Sequence, residues 1–127
     1  MRPRPMAWRT MRRGEIYFVD LEPVRGSEAR RSRPVVIVSH DALNAVVKRL
    51  GRGVLTAVPL TTNVERVLAF QVFLPAEATG LPRDSKAQAE QVRALAFERF
   101  APDPVGVLPE RYLLQVEAAL RLHLGLE

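Results

Sequence analysis

The sequence predicts a small, mostly antiparallel α+β barrel, and three observations carry that prediction. Five or six short runs of high β-propensity are separated by Gly, Pro and Asn turns. A single long amphipathic stripe at helical spacing stands at the C-terminus, where it can pack on a sheet. The chain has 127 residues, 47% of them hydrophobic, enough for one domain with a real core and too short for two.

Residues 1–10 show neither helical nor strand periodicity. The expectation is a flexible basic arm or the product of an upstream start, followed by a single domain over residues 11–127. After Glu15, the run Ile16-Tyr17-Phe18-Val19 reads as a strand that Pro23 stops. Residues 22–33 contain Arg25, Glu28, Arg30, Arg31 and Arg33 without apolar periodicity, a long loop of the kind that is functional or disordered. Residues 34–38 are apolar on both faces and predict a central strand. Ser39 or Asp41 can cap a helix running to about residue 50, with Gly51 and Gly53 behind it, and helix-start capping is also the expected role of His40. Strands are predicted over 54–60 and 70–74, joined by the polar segment 61–66. Residues 75–85 hold Pro75, Gly80, Pro82 and Asp84 and read as turn and loop. Residues 86–95 alternate Ala87, Ala89, Gln91 and Arg93 against Gln88, Glu90 and Val92, a strand with one polar face. Pro102 and Pro104 bracket a turn before a short last strand over 105–108. Pro109 at the first helical position starts the final helix, whose Leu113, Val116, Leu120 and Leu124 form a core stripe closed by Gly125.

Composition excludes several chemistries. Without cysteine there is no disulfide scaffold, thiolate nucleophile or cysteine-ligated zinc. His40 and His123 lie too far apart in sequence to found a metal centre. No apolar run approaches the roughly 20 residues that span a bilayer, and the first ten residues lack an apolar signal core. A cytoplasmic protein without membrane contact is expected. The charge is informative: 19 basic against 14 acidic residues, with lysine only at Lys48 and Lys86. Residues 1–53 hold 12 basic and 5 acidic side chains, whereas 54–127 hold 7 and 9. A GC-rich genome favours Arg codons whatever the function, so this asymmetry outweighs the total. Guanidinium groups grip phosphate bidentately and stack on bases, which points to nucleic acid.

No Gly-rich phosphate loop, nucleophile elbow or helical metal motif is present, so an enzyme here must work with Arg, Thr, Ser or carboxylates. The densest chemistry is residues 25–34 together with Thr61-Thr62. The run Arg13-Gly14-Glu15-Ile16-Tyr17-Phe18-Val19-Asp20-Leu21-Glu22-Pro23, then Gly26-Ser27-Glu28 and Arg33-Pro34-Val35-Val36-Ile37-Val38-Ser39, resembles the opening of MazF/PemK-type toxins. The likeness continues through Val58-Pro59-Leu60-Thr61-Thr62-Asn63, Gly80-Leu81, Asp84-Ser85 and Glu90-Gln91-Val92-Arg93, and covers residues 12–126. Each block alone is weak; their order and spacing together are specific.

That resemblance implies an SH3-like barrel of five to seven strands with a C-terminal helix, working as a homodimer. It implies the toxin of a type II toxin–antitoxin system, an endoribonuclease (mRNA interferase) that cuts single-stranded RNA at short sequences. It further implies 2′-OH attack without metal or cofactor, leaving 2′,3′-cyclic phosphate and 5′-OH ends, and neutralisation by a MazE-like antitoxin. DNA would be bound only by the toxin–antitoxin complex. Carried over by residue, Arg33 stands at the catalytic arginine, Thr61 at the catalytic threonine and Glu28 at a glutamate proposed as base. Ser27, Arg30, Arg31, Thr62, Asn63, Glu90 and Gln91 would contact RNA. Gln91 is open between reading base edges and a buried structural role, and Glu28 between base and loop ion pair. Arg30 and Arg31 depart from the Gln or Gly common in the family. They either strengthen phosphate contacts or dock an acidic antitoxin segment. A gyrase-poisoning toxin of the CcdB kind is the alternative, one that would not need Arg33 and Thr61 together.

Overall fold

The computed structural model describes residues 10–21 and 32–126. Ser27, Glu28, Arg30 and Arg31 lie outside them, as does the expected basic arm except for Thr10. Seven strands form one curled antiparallel sheet: β1 (Glu15–Asp20), β2 (Ser32–Ile37), β3 (Val54–Thr61), β4 (Gln71–Leu74), β5 (Ser85–Gln88), β6 (Arg93–Ala96) and β7 (Gly106–Val107). The α-helices among the described residues are α1 (Asp41–Leu50), α2 (Ala76–Thr79) and α3 (Glu110–Leu124). The strand order is β4-β5-β3-β2-β1-β7, with β6 also on β3. This is the expected α+β architecture.

The central strands are buried on both faces because strand side chains alternate. Ile16, Val36, Val58 and Leu60 point to one core, which β4, β5 and Val116 and Ala119 of α3 close. Tyr17, Val19, Val35, Ile37, Leu55 and Ala57 point to a second, closed by Leu95, Phe97 and Phe100. Two-sided burial explains the unbroken apolar run of residues 35–38.

Several local expectations are corrected. Strand β2 begins at Ser32, so Arg33 lies inside it, opposite Val19. Of the candidate caps of α1, Ser39 and Asp41 are not used and His40 takes the expected helix-start role, its Nδ1 accepting the Ala42 N–H at 3.0 Å. Ser39 instead donates to Asn44, and Asp41 accepts the Arg13 N–H at 2.7 Å. The segment read as pure loop contains α2, because Asp84 Oδ1 accepts the Ala76 N–H at 2.9 Å and organises its first turn. Pro109 is the residue before α3 and not its first. On that helix Val116 is buried, Leu113 and Leu120 are half-buried and Leu124 is exposed, so the core stripe is shorter than its spacing suggested.

The strand expected over 86–95 is split. Residues Ala89–Gln91 make a 3₁₀ turn between β5 and β6. Both halves run along one edge of β3, with Leu60↔Ala87 on one side of the turn and Ala57↔Arg93 on the other. The turn reverses the expected alternation, as an insertion in a ladder does. Ala87 and Ala89 enter the core, while Gln91 and Arg93 emerge on the other face.

Buried Glu15 fastens the entrance to β1. Its carboxylate accepts from the Thr10 hydroxyl, from the Arg12 N–H at 2.6 Å and from the Tyr17 hydroxyl at 3.1 Å. Tyr17 is fully buried, and that burial pushes its phenol up to about 12. A raised acid favours the neutral form in the fold. Its contribution is whole below the unfolded value of about 10 and is lost between about pH 10 and 12. In an alkaline absorbance titration one of the two tyrosines should therefore ionise late, together with loss of the folded circular dichroism signal.

Candidate active site

The face that carries the second core becomes polar at its other end. The β2–β3 ladder runs Val36↔Val58 and Val35↔Pro59, and beyond its end Arg33 of β2 and Thr61 of β3 lie on the same face. Both side chains open on a groove of about 340 Å³ lined by Leu21, Pro59, Leu60, Gln88, Gln91 and Arg93 as well. The groove thus holds two guanidinium groups, two amides and a hydroxyl, with no carboxylate among its described lining residues.

Arg33 is exposed, and among the described residues it has no carboxylate partner. Thr61 Oγ1 accepts the Asn63 N–H at 3.3 Å, which orients the hydroxyl and leaves its proton to be donated outward. Pro59, with no N–H to give, falls where β3 faces the 3₁₀ turn instead of a strand. That turn carries Gln91 into the groove, where its side chain is exposed.

Not every expected residue converges there. Glu90 turns inward, where Oε2 accepts from Gln71 Nε2 at 2.7 Å and Oε1 is buried without a partner among the described residues. Asn63 lies in a neighbouring cavity with Glu65, Arg66 and Lys86, and its Oδ1 accepts the Glu65 N–H at 3.4 Å. Thr62 is exposed beside Thr61. Sequence reasoning missed Gln88 and Arg93. Arg93 stood in the Glu90-Gln91-Val92-Arg93 block, two residues after Gln91, and that spacing was the available signal. The motif residues Arg13 and Glu15 are structural: Arg13 bonds Glu117 at 2.6 Å and the Val38 carbonyl at 3.0 Å. No cluster of three metal-ligating side chains occurs among the described residues, and no described helix is long and apolar enough to cross a membrane.

Residues 12–124 match the family described as PemK-like, MazF-like toxin of type II toxin–antitoxin system. Endoribonuclease MazF9 of Mycobacterium tuberculosis is 55% identical over 116 residues, 91% of this chain and 98% of that protein. Endoribonuclease EndoA of Bacillus subtilis is 32% identical over 91% of this chain and 96% of its own. A solved mycobacterial endoribonuclease in complex with its cognate antitoxin superposes with a TM-score of 0.71 at 25% identity, covering 91% of this chain and 95% of that one. These relatives give the gyrase-poisoning alternative no support. The chain belongs to the PemK-like, MazF-like toxins of type II toxin–antitoxin systems, the MazF-type endoribonucleases.

Proposed function

We propose that the chain cuts single-stranded RNA at short sequences by metal-independent attack of a ribose 2′-oxygen on the adjacent phosphate. The observation that carries this is that Arg33 and Thr61 line one cationic groove. As the O2′–P bond forms, negative charge grows on the non-bridging oxygens. The Arg33 guanidinium presents two parallel donors to them and the Thr61 hydroxyl a third. The P–O5′ bond then breaks and O5′ takes up a proton, leaving a 2′,3′-cyclic phosphate and a 5′-OH. A guanidinium keeps its proton far above neutral pH and is a poor base. Glu28, the one carboxylate between Arg25 and Arg33 in the sequence, is the candidate to accept the 2′-OH proton. Ser27, Arg30 and Arg31 extend the RNA contacts from the same segment. Purified protein incubated with a long transcript in EDTA should yield 5′-OH fragments; intact RNA, or 5′-phosphate ends, would overturn the reading.

The same groove suits the acidic segment of a MazE-like antitoxin, which would neutralise its arginines; a mycobacterial relative is known in complex with its cognate antitoxin. DNA contact is left to that complex, since the chain has no helix-turn-helix pattern. Cellular RNA as substrate places the action in the cytoplasm. A homodimer has a surface on α1, where Leu43, Val46 and Leu50 are exposed on one stripe. Leu43→Asp with Leu50→Asp should convert a dimer into a 14.3 kDa monomer in analytical ultracentrifugation.

A further inference from the structure

We propose that the groove continues past Thr61 into a second subsite, built from Lys86, Phe73 and the 63–66 turn, which holds the nucleotide flanking the cleaved phosphate. This rests on the RNA-cleaving reading above. Leu60, Ala87 and Val72 face the core across β3, β5 and β4. The next pairs, Thr61↔Lys86 and Lys86↔Phe73, therefore face the opposite way. Thr61, Lys86 and Phe73 form one row over three strands, about 10 Å long at the usual strand spacing.

Lys86 is only 8% exposed, uncommon for lysine unless it has partners. Its ammonium donates to the Arg66 carbonyl at 2.5 Å and has two further N–H groups to offer. Among the described residues it has no carboxylate partner. With Asn63, Glu65 and Arg66 it lines a cavity of about 460 Å³ directly beyond Thr61. Phe73, in the same row, leaves 42% of its surface open, a ring on which an unstacked base can lie. A cation next to the scissile position, an open ring beside it and an amide with a carboxylate at the mouth match a phosphate, a stacked base and that base's polar edge. The open Phe73 ring offers a base a stacking face that an acidic peptide has no use for, which favours RNA as the occupant.

The test compares wild type, Phe73→Ala and Lys86→Met on short RNAs carrying one abasic residue at successive positions around the cleaved bond. Phe73→Ala should lower kcat/KM on intact RNA roughly five- to a hundredfold. It should cost nothing further when one particular flanking residue is already abasic. Lys86→Met should reduce the slope of log kcat/KM against log salt by about 0.7, the loss of one single-strand phosphate contact. Phe73 is exposed, so its truncation leaves the fold intact even if Lys86→Met does not. Wild-type kinetics for Phe73→Ala, equal losses at every abasic position, or an unchanged salt slope in a folded Lys86→Met would overturn the subsite. So would weakened binding of an acidic antitoxin peptide with RNA kinetics unaltered. A wild-type protein that cuts no RNA overturns the cleavage reading as well, so the two failures are distinguishable.

Discussion

Arg33→Ala should lower kcat/KM for RNA cleavage by about 10²–10³ while leaving the thermal melt within a degree or two of wild type. Removing one donor from the developing charge of a transition state has that size of effect. The side chain is exposed, so its truncation creates no cavity and orphans no buried group. KM should move less than kcat, because the dianionic phosphorane needs the guanidinium more than the ground-state phosphodiester does. Arg33→Lys should recover only part of the loss, since a point charge replaces a two-pronged donor. Wild-type rates in Arg33→Ala would remove the groove from the chemistry altogether.

Gly106→Ala should destabilise the fold by about 3 kcal/mol, the upper end of overpacking costs. A Cβ there would stand 2.1 Å from the Thr79 carbonyl oxygen and 2.9 Å from its carbon, both backbone atoms that no rotamer change can move. Gly80 meets the same contact from the other side, with its would-be Cβ 2.5 Å from the Val105 oxygen at a φ of +79°. Strand β7 is thus wedged against the end of α2, and neither chain has room to retreat. In thermal denaturation the midpoint should drop by on the order of 10 °C. A midpoint unchanged to within two degrees would show that the wedge yields cheaply.

Which parts were legible in the sequence has physical reasons. The strand at 35–38 and the helix before Gly125 announce themselves because burial imposes a periodicity that nothing local contests. The 86–95 stretch misled because a three-residue turn changes which side chains face inward without changing composition. Ala89 and Gln91 share a face in an unbroken strand but not across that turn. Arg33 and Thr61 were recognisable from motif order, yet their adjacency depends on the β2–β3 register, a non-local fact. Glu90 looked like a groove residue because nothing in the sequence tells that Gln71, nineteen positions earlier, waits beneath it. Phe73 and Lys86 gave no signal singly; only cross-strand pairing makes them neighbours.

Strand β3 pairs with β2 along one edge and with both β5 and β6 along the other. In time, that arrangement orders the birth of the nuclease. Arg33 and Thr61 leave the ribosome in the first half of the chain, whereas Gln88, Gln91 and Arg93 leave in the last third and α3 last of all. Until then β3 has one edge without its strands and the groove lacks a wall. Such distant pairings also form slowly, because a long loop must close before any contact repays it. The groove is therefore a late structure, closed only once residues 85–96 have reached the free edge of β3.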